Sequence, residues 1–412
     1  MTFFHLADLH IGKTVCGTSM LDNGDQRHWI GRFLELVDQN KPDAVVISGD
    51  VYDRSAPSGD SVELLDYMLT GLVGMDVPVM LISGNHDSGK RLSFGKSILS
   101  EHNLHISGSL GENGEMESVT INDKFGPVTF WLCPFIFPSL VARKLGDDSI
   151  KDYNTAMRRL LEMQQIDTSV RNVLVAHQNV VANGQAAEFG GSESTVGGVG
   201  QIEYTTFDCF DYVALGHIHS AYPVGREEVR YAGTPLCYHF NETRQREKGP
   251  VQVELGKKGA KPKIETCVIE PLHRMRAVGG GYDEIVASEK LLATKDEYIS
   301  INIMDRRLTP GISSYFKDFY ASRGSILMEL TSSFRTVGSN SAAPDRNIEE
   351  KDLDELFADF IMYREGNELD KAEEDALKKA VESMHSHEGE TTPNSQEIDV
   401  FVSQLLGKEV GV

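Results

Sequence analysis

The sequence predicts an α/β fold, on three observations. Short apolar runs of strand length, rich in β-branched and aromatic residues, recur from the N-terminus: Thr2–Leu6, Ala44–Ile47, Pro78–Ile82, Val128–Cys133, Asn172–Ala176 and Tyr212–Leu215. Helical spacing lies between the early runs, in Trp29, Phe33, Leu36 and Val37 and again in Val62, Leu65, Met68, Leu69 and Leu72. Polar residues of chemical interest stand directly after the runs rather than within them. Strand, helix, strand is the alternation that builds an α/β sheet.

The totals set limits. With 412 residues the chain exceeds one ordinary core, so two or three domains are expected. A composition 40% hydrophobic and 25% charged is that of a soluble globular protein. No apolar stretch has the length of a membrane span, and MTFFHLADLHIGK lacks the parts of a secretion signal. Cys16, Cys133, Cys209, Cys237 and Cys267 are scattered, odd in number and never paired as CxxC. That argues against a disulfide framework or a cysteine zinc site, and a reducing cytoplasm fits best. The net charge of −22 counts against a nucleic-acid binder, which usually shows a basic patch. Much of that acid is local: from Glu349 to Glu390 acidic residues outnumber basic ones by about three to one.

Five of the six strand candidates lead to a reactive group. Thr2–Leu6 is followed by Asp8 and His10, and Ala44–Ile47 by Gly49-Asp50 and Asp53. Pro78–Ile82 leads through Gly84 to Asn85, His86 and Asp87. Asn172–Ala176 meets His177, and Tyr212–Leu215 leads through Gly216 to His217 and His219. In open α/β sheets ligands bind beyond the carboxyl ends of the strands. Five strands of one sheet would bring two carboxylates, one amide and four imidazoles to one place.

Taken singly, Gly49-Asp50 and Gly84-Asn85 read equally well as turns, and a lone histidine is more often structural. Their joint placement beyond strands argues for a site. In an extended segment residues i and i+2 share a face, so Asp8 and His10 reach one ion, and His217 and His219 repeat that geometry. Mixed carboxylate, amide and imidazole donors suit Mn, Fe or Zn better than Ca or Mg. Seven donors are too many for one ion. They suit two ions about 3.5–4 Å apart that share a carboxylate, a common device for displacement at phosphorus.

D-x-H, G-D-x-x-D, G-N-H-D and G-H-x-H, in this order and each closing a strand, resemble the calcineurin-like metallophosphoesterase superfamily. More closely, LADLHIGK, ISGDVYD, ISGNHDS and YVALGHIHS resemble the SbcD-type subunits of bacterial DNA double-strand-break exonucleases. The resemblance covers most of the chain and is specific in the first 240 residues. It implies a two-sheet metallophosphoesterase sandwich flanked by helices, then a small α/β capping domain and a helical C-terminal tail. The expected boundaries are 1–272 for the catalytic domain, 273–338 for the cap that meets DNA, and 339–412 for an acidic linker and tail.

The resemblance also implies roles. Asp8, His10, Asp50 and His219 would hold one metal; Asp50, Asn85, His177 and His217 would hold the other, most simply Mn²⁺ for both. His86 would donate a proton to the leaving oxygen or steady the phosphate. Asp87 would orient His86 by accepting a ring N–H, and Asp53 would hold a ligand or loop from outside the metal shell. The remaining histidines have no such support, and His239 is unassigned. Lys13, Lys90 and Arg91 either touch DNA phosphates or are merely solvated.

From about Pro271 the texture changes. Tyr298–Met304 and Ser325–Leu330 read as strands, Gly311–Ser322 as a helix, with Arg306, Arg307, Lys317 and Arg323 nearby. Thr336–Pro344 is a linker by composition. Leu353, Leu356, Phe357, Phe360 and Ile361 form an amphipathic stripe that either docks a partner or folds back on the chain. The family reading is docking of an SbcC-type coiled-coil ATPase. The helix around Leu65 to Leu72 packs either on its own sheet or on a second copy, since the resemblance implies a homodimer.

Together these imply a cytoplasmic, nucleoid-associated, Mn²⁺-dependent nuclease acting on DNA ends and hairpins, with no membrane. The competing readings are a phosphatase or cyclic-nucleotide phosphodiesterase, and a scaffold that holds the ATPase on DNA ends.

Overall fold

Strand Thr2–Leu6 organises the first of two six-stranded sheets in this computed structural model, which describes residues 1–184, 200–244 and 247–334. Its neighbours on one side, Ala44–Ser48, Val79–Ile82 and Leu104–Ser107, pair in parallel; on the other, Val251–Glu254 and Lys263–Thr266 pair antiparallel. The second sheet runs in the order Tyr222–Val224, Arg226–Tyr231, Tyr212–Gly216, Arg171–His177, Gly126–Cys133, Glu117–Asp123. Its four central strands are parallel.

Alternation of side chains across each strand builds the layers. Phe3, Val46, Met80 and Ile82 of the first sheet meet Phe130, Val173, Val175 and Tyr212 of the second in a shared core. Phe4, Val45, Ile47 and Leu81 point the other way, onto helices α1 (Asp25–Asn40) and α2 (Gly59–Gly74). Leu174, Ala176 and Val213 pack on helices Pro138–Leu145 and Tyr153–Met163. The result is helix, sheet, sheet, helix, the sandwich the resemblance implied.

One expectation is corrected. The strands that carry the candidate ligands do not belong to one sheet: Thr2–Leu6, Ala44–Ser48 and Val79–Ile82 lie in the first, Arg171–His177 and Tyr212–Gly216 in the second. Their carboxyl ends meet because strand Ala44–Ser48 packs across strands Arg171–His177 and Tyr212–Gly216; the Ser48 hydroxyl donates to the Ala214 carbonyl at 3.0 Å. On α2, Leu65, Met68 and Leu72 are buried in the chain's own core, whereas Val62 is 47% exposed.

A third, three-stranded parallel sheet of Arg274–Gly280, Glu297–Ile303 and Ile326–Ser332 follows, with helices Tyr282–Leu292 and Pro310–Ala321. Ile299, Ile301, Ile303, Phe316 and Tyr320 form its own core. It belongs to the same compact unit as the two large sheets. Arg276 grips the Glu289 carboxylate through both terminal nitrogens at 2.7 Å and also reaches Glu297 at 3.0 Å. All five cysteines are free. Among the described residues no helix is long and apolar enough to cross a membrane. The stripe from Leu353 to Ile361 and the linker before it lie outside the described residues.

Candidate metal centre

The loop after Thr2–Leu6 runs beside the loop after Ala44–Ser48. Asp8 N donates to the Gly49 carbonyl at 3.1 Å, His10 N to Asp50 O at 2.9 Å and Ile11 N to Val51 O at 2.9 Å. Within this ladder Asp8, His10 and Asp50 are left-handed, with φ of 53°, 42° and 47°. His217 has φ 103°, and its N–H donates to the Asp8 carboxylate at 2.9 Å. Such backbone costs roughly 1–3 kcal/mol per residue and persists only where the surroundings over-determine it. Asp8 and His10 therefore do not share a face of an extended segment, as their spacing suggested. Turned backbone brings them together.

Two glycines are required by space. A Cβ on Gly84 would lie 2.0 Å from Asp50 Oδ1, and one on Gly216 would lie 1.9 Å from the Ser48 carbonyl. Each motif glycine lets neighbouring strand ends close up.

Asp8, His10 and Asp50 are fully buried and their ligand atoms lie within 4.8 Å of one another. His10 Nε2 is 3.7 Å from Asp50 Oδ2, and His177 Nε2 is 3.4 Å from that same oxygen. Asn85 Oδ1 sits 3.0 Å from His177 Nε2 and 3.2 Å from His217 Nδ1. The His10 and His219 rings are 5.1 Å apart. All seven expected ligands thus converge, with Asp50 between the two groups.

Partner groups aim the imidazoles. His177 Nδ1 faces the Ser48 carbonyl at 2.8 Å, so that nitrogen carries the proton and Nε2 turns to the site. His219 Nδ1 faces the buried Glu242 carboxylate at 3.0 Å. Glu242 in turn accepts from Lys248 at 2.9 Å and Thr234 at 3.1 Å. Buried Gln26 donates to the His10 carbonyl at 2.8 Å and accepts from Gly12 N at 2.9 Å. Its neighbour Asp25 accepts from the Tyr298 hydroxyl at 2.6 Å and faces His273 Nδ1 at 2.8 Å, tying the third sheet to this loop. Glu242, Gln26 and Asp25 follow no strand run and carry no motif, so only the fold reveals them.

Asp53 Oδ1 lies 3.7 Å from His10 Nδ1 and 2.7 Å from Lys13 Nζ, beside the cluster. The Asp87 carboxylate accepts from the backbone N–H groups of Val51, Tyr52 and Gly84 at 3.0, 2.9 and 2.9 Å, binding two loops together. The Asp53 carbonyl lies 3.0 Å from His86 Nδ1. His86 Nε2 lies 4.0 Å from Asp50 Oδ2, and its ring is half-buried at the mouth. His239 is exposed, and its Nδ1 accepts from Asn241 N at 3.0 Å.

Two of the basic residues near the third sheet have partners within the chain. Arg306 is paired with Asp283 and Asp305 at 2.9 Å each, and Arg323 lies over the Phe319 ring at 3.8 Å.

The donor set fits divalent cations. Both ring nitrogens of His10 and Asp50 Oδ2 are buried without a hydrogen-bond partner, which an ordinary core does not tolerate. Burial pushes the Asp8 carboxyl up to about 7 against the pull of His177, and pushes His10 down to about 3. Burial alone would lower His177, but Asp50 and Asp8 hold it at about 10. Burial opposes ionisation of Asp50 too, yet His177 and His10 keep its carboxyl well below the usual range. Carboxylates buried this deeply require positive charge beside them.

Fold and site define a metal-dependent phosphoester hydrolase. Residues 1–221 match the family model for calcineurin-like phosphoesterases, and the chain belongs to that family. Over nearly its whole length it is similar to the SbcD component of the SbcCD nuclease from Staphylococcus saprophyticus. The two are 28% identical over 389 residues, covering 93% of this chain and 98% of that relative.

Proposed function

We propose that the chain is the nuclease subunit of a DNA end-processing complex. It would cleave phosphodiesters 3′ to 5′ from duplex ends and cut single strands and hairpins, together with an SbcC-type ATPase. The observation that carries the reading is the convergence of seven donors around buried, unsatisfied His10 and Asp50 atoms. Similarity to a nuclease component over 93% of the chain, including the third sheet, favours a polymeric substrate over a small one.

Asp8, His10, Asp50 and His219 hold one divalent cation in this reading, and Asp50, Asn85, His177 and His217 a second, with Mn²⁺ the metal used. When bound, the cations neutralise phosphate charge and make water a nucleophile at neutral pH. His86 lies beside this cluster; the Asp53 carbonyl accepts from Nδ1–H, which leaves Nε2 facing the site, and the imidazolium form donates its Nε2 proton to the leaving 3′-oxygen. Lys13 steadies Asp53, and Asp53 steadies both His10 and His86. Residues 273–338 form the cap, and 339–412 dock the ATPase in a cytoplasmic, nucleoid-associated complex of two copies.

The test is an Mn²⁺ assay on end-labelled duplex DNA, with and without the ATPase. Wild type should degrade DNA, and His86→Asn should lower kcat by roughly 10²–10⁴-fold while leaving Mn²⁺ binding intact. Hydrolysis of a small diester with DNA untouched in both conditions would replace the nuclease with a small-substrate phosphodiesterase. Loss of ATPase co-purification on deleting 339–412 tests the tail.

A further inference from the structure

We infer that Phe137, backed by Phe135, is a stacking platform for the nucleobase next to the scissile phosphate. The inference rests on the nuclease reading and gives that site a means of recognising nucleotides rather than bare phosphate esters.

The platform is the segment Cys133-Pro134-Phe135-Ile136-Phe137-Pro138, which leaves the end of strand Gly126–Cys133. Its side chains alternate. Ile136 is fully buried and anchors the segment, while Phe135 is half-buried and Phe137 is 52% exposed. Phe135 N donates to the Ser83 carbonyl at 3.0 Å, which fixes the segment beside the Gly84-Asn85 loop. Prolines at both ends restrict the backbone, and Phe137 caps helix Pro138–Leu145 in an extended conformation. The two rings meet edge to face at 4.9 Å.

The Phe135 ring centre lies 6.1 Å from the His177 ring and 6.3 Å from the His217 ring. The aromatic pair is therefore continuous with the Asn85, His177 and His217 side of the site. The opposite side, around Asp53 and His86, is basic: Lys13 and Arg54 flank Asp53, and Arg91 donates to the Ser55 carbonyl. Cations on one rim and an exposed aromatic face on the other match a nucleotide strand, whose charge and π-face lie on different sides. A small phosphomonoester has no group for the aromatic rim.

The test compares Mn²⁺-dependent cleavage of two single-stranded oligonucleotides of one length, one with normal bases and one abasic. The readout is the ratio of their kcat/KM values. Phe137→Ala should lower that ratio by about 5- to 100-fold, the range of one lost base–aromatic stack, and Phe137→Tyr should restore most of it. An unaltered ratio in a folded Phe137→Ala protein overturns the inference while leaving the nuclease reading intact. If wild type cleaves a small diester but neither oligonucleotide, the nuclease reading fails and this inference falls with it.

Discussion

Asp8, His10 and His219 lie at the floor of the site, 0–2% exposed, whereas Asn85 is exposed and His217 half-buried at its mouth. The floor ligands sit on strained or tightly bonded backbone and are backed by Glu242, Gln26 and Asp53. At the mouth, the Asn85 carbonyl oxygen faces the two imidazoles of His177 and His217. One half is enclosed by the fold, while the other keeps His177 buried and opens to solvent through Asn85 and His217. A cation at the floor should exchange slowly and contribute to stability, while one at the mouth should exchange with solvent. Asp50 is common to both halves.

That comparison can be broken outright at Asp50. Asp50→Asn should abolish binding at both halves and lower activity roughly 10³-fold or more, since several kcal/mol of charge stabilisation disappear. Metal content by mass spectrometry and activity should fall together. Retention of one tightly bound ion would show that Asp50 is not shared. Asn85→Ala should affect the mouth alone: the Mn²⁺ concentration for half-maximal activity rises roughly 10- to 100-fold, and saturating Mn²⁺ recovers most of the rate. If saturating metal does not rescue, the mouth is not the exchangeable half. Glu242→Gln should weaken the floor by about tenfold in affinity, because the His219 ring loses its charged orienting partner. Titration calorimetry resolves this from the mouth.

The smallest effect concerns stability without metal. Burial raises Asp8 to about 7, so the folded carboxyl holds a proton that the unfolded one has already lost. The Asp8 contribution to the stability of the stripped protein should therefore fall as pH rises from about 4 towards 7, while His10, held near 3, contributes in the opposite sense, so the Asp8 substitution is what isolates it. Asp8→Asn in EDTA at pH 8 should have an equal or higher Tm than wild type, and lose the Tm gain that Mn²⁺ gives wild type. A lower Tm in EDTA would mean that the Asp8 carboxylate is structural rather than held for a cation.

Much of the fold and site is legible in the sequence, for physical reasons. Strands buried on both faces are continuous apolar runs, so Thr2–Leu6 and Tyr212–Gly216 announce themselves, and their ligands follow directly. Edge strands such as Glu117–Asp123 and Lys263–Thr266 bury one face at most and leave a weaker pattern. Which strands share a sheet depends on long-range pairing that no local pattern records. Glu242 and Gln26 act through contacts made across many residues of sequence, so their roles appear only when the chain is folded. For Asp87, adjacency to His86 in sequence gives no hint that its carboxylate accepts from three backbone N–H groups of two loops.

Asp25 and Gln26 are adjacent residues that face opposite ways, one holding Tyr298 and His273 and the other the His10 loop. That adjacency is a route by which thermodynamic linkage is expected. Any ligand that displaces Tyr298 does work on the cation loop, and cation binding must change the affinity for that ligand by the same factor. Slower hydrogen exchange in Glu297–Ile303 on adding Mn²⁺ would be the signal of that linkage, and unchanged exchange would show that the two contacts are independent.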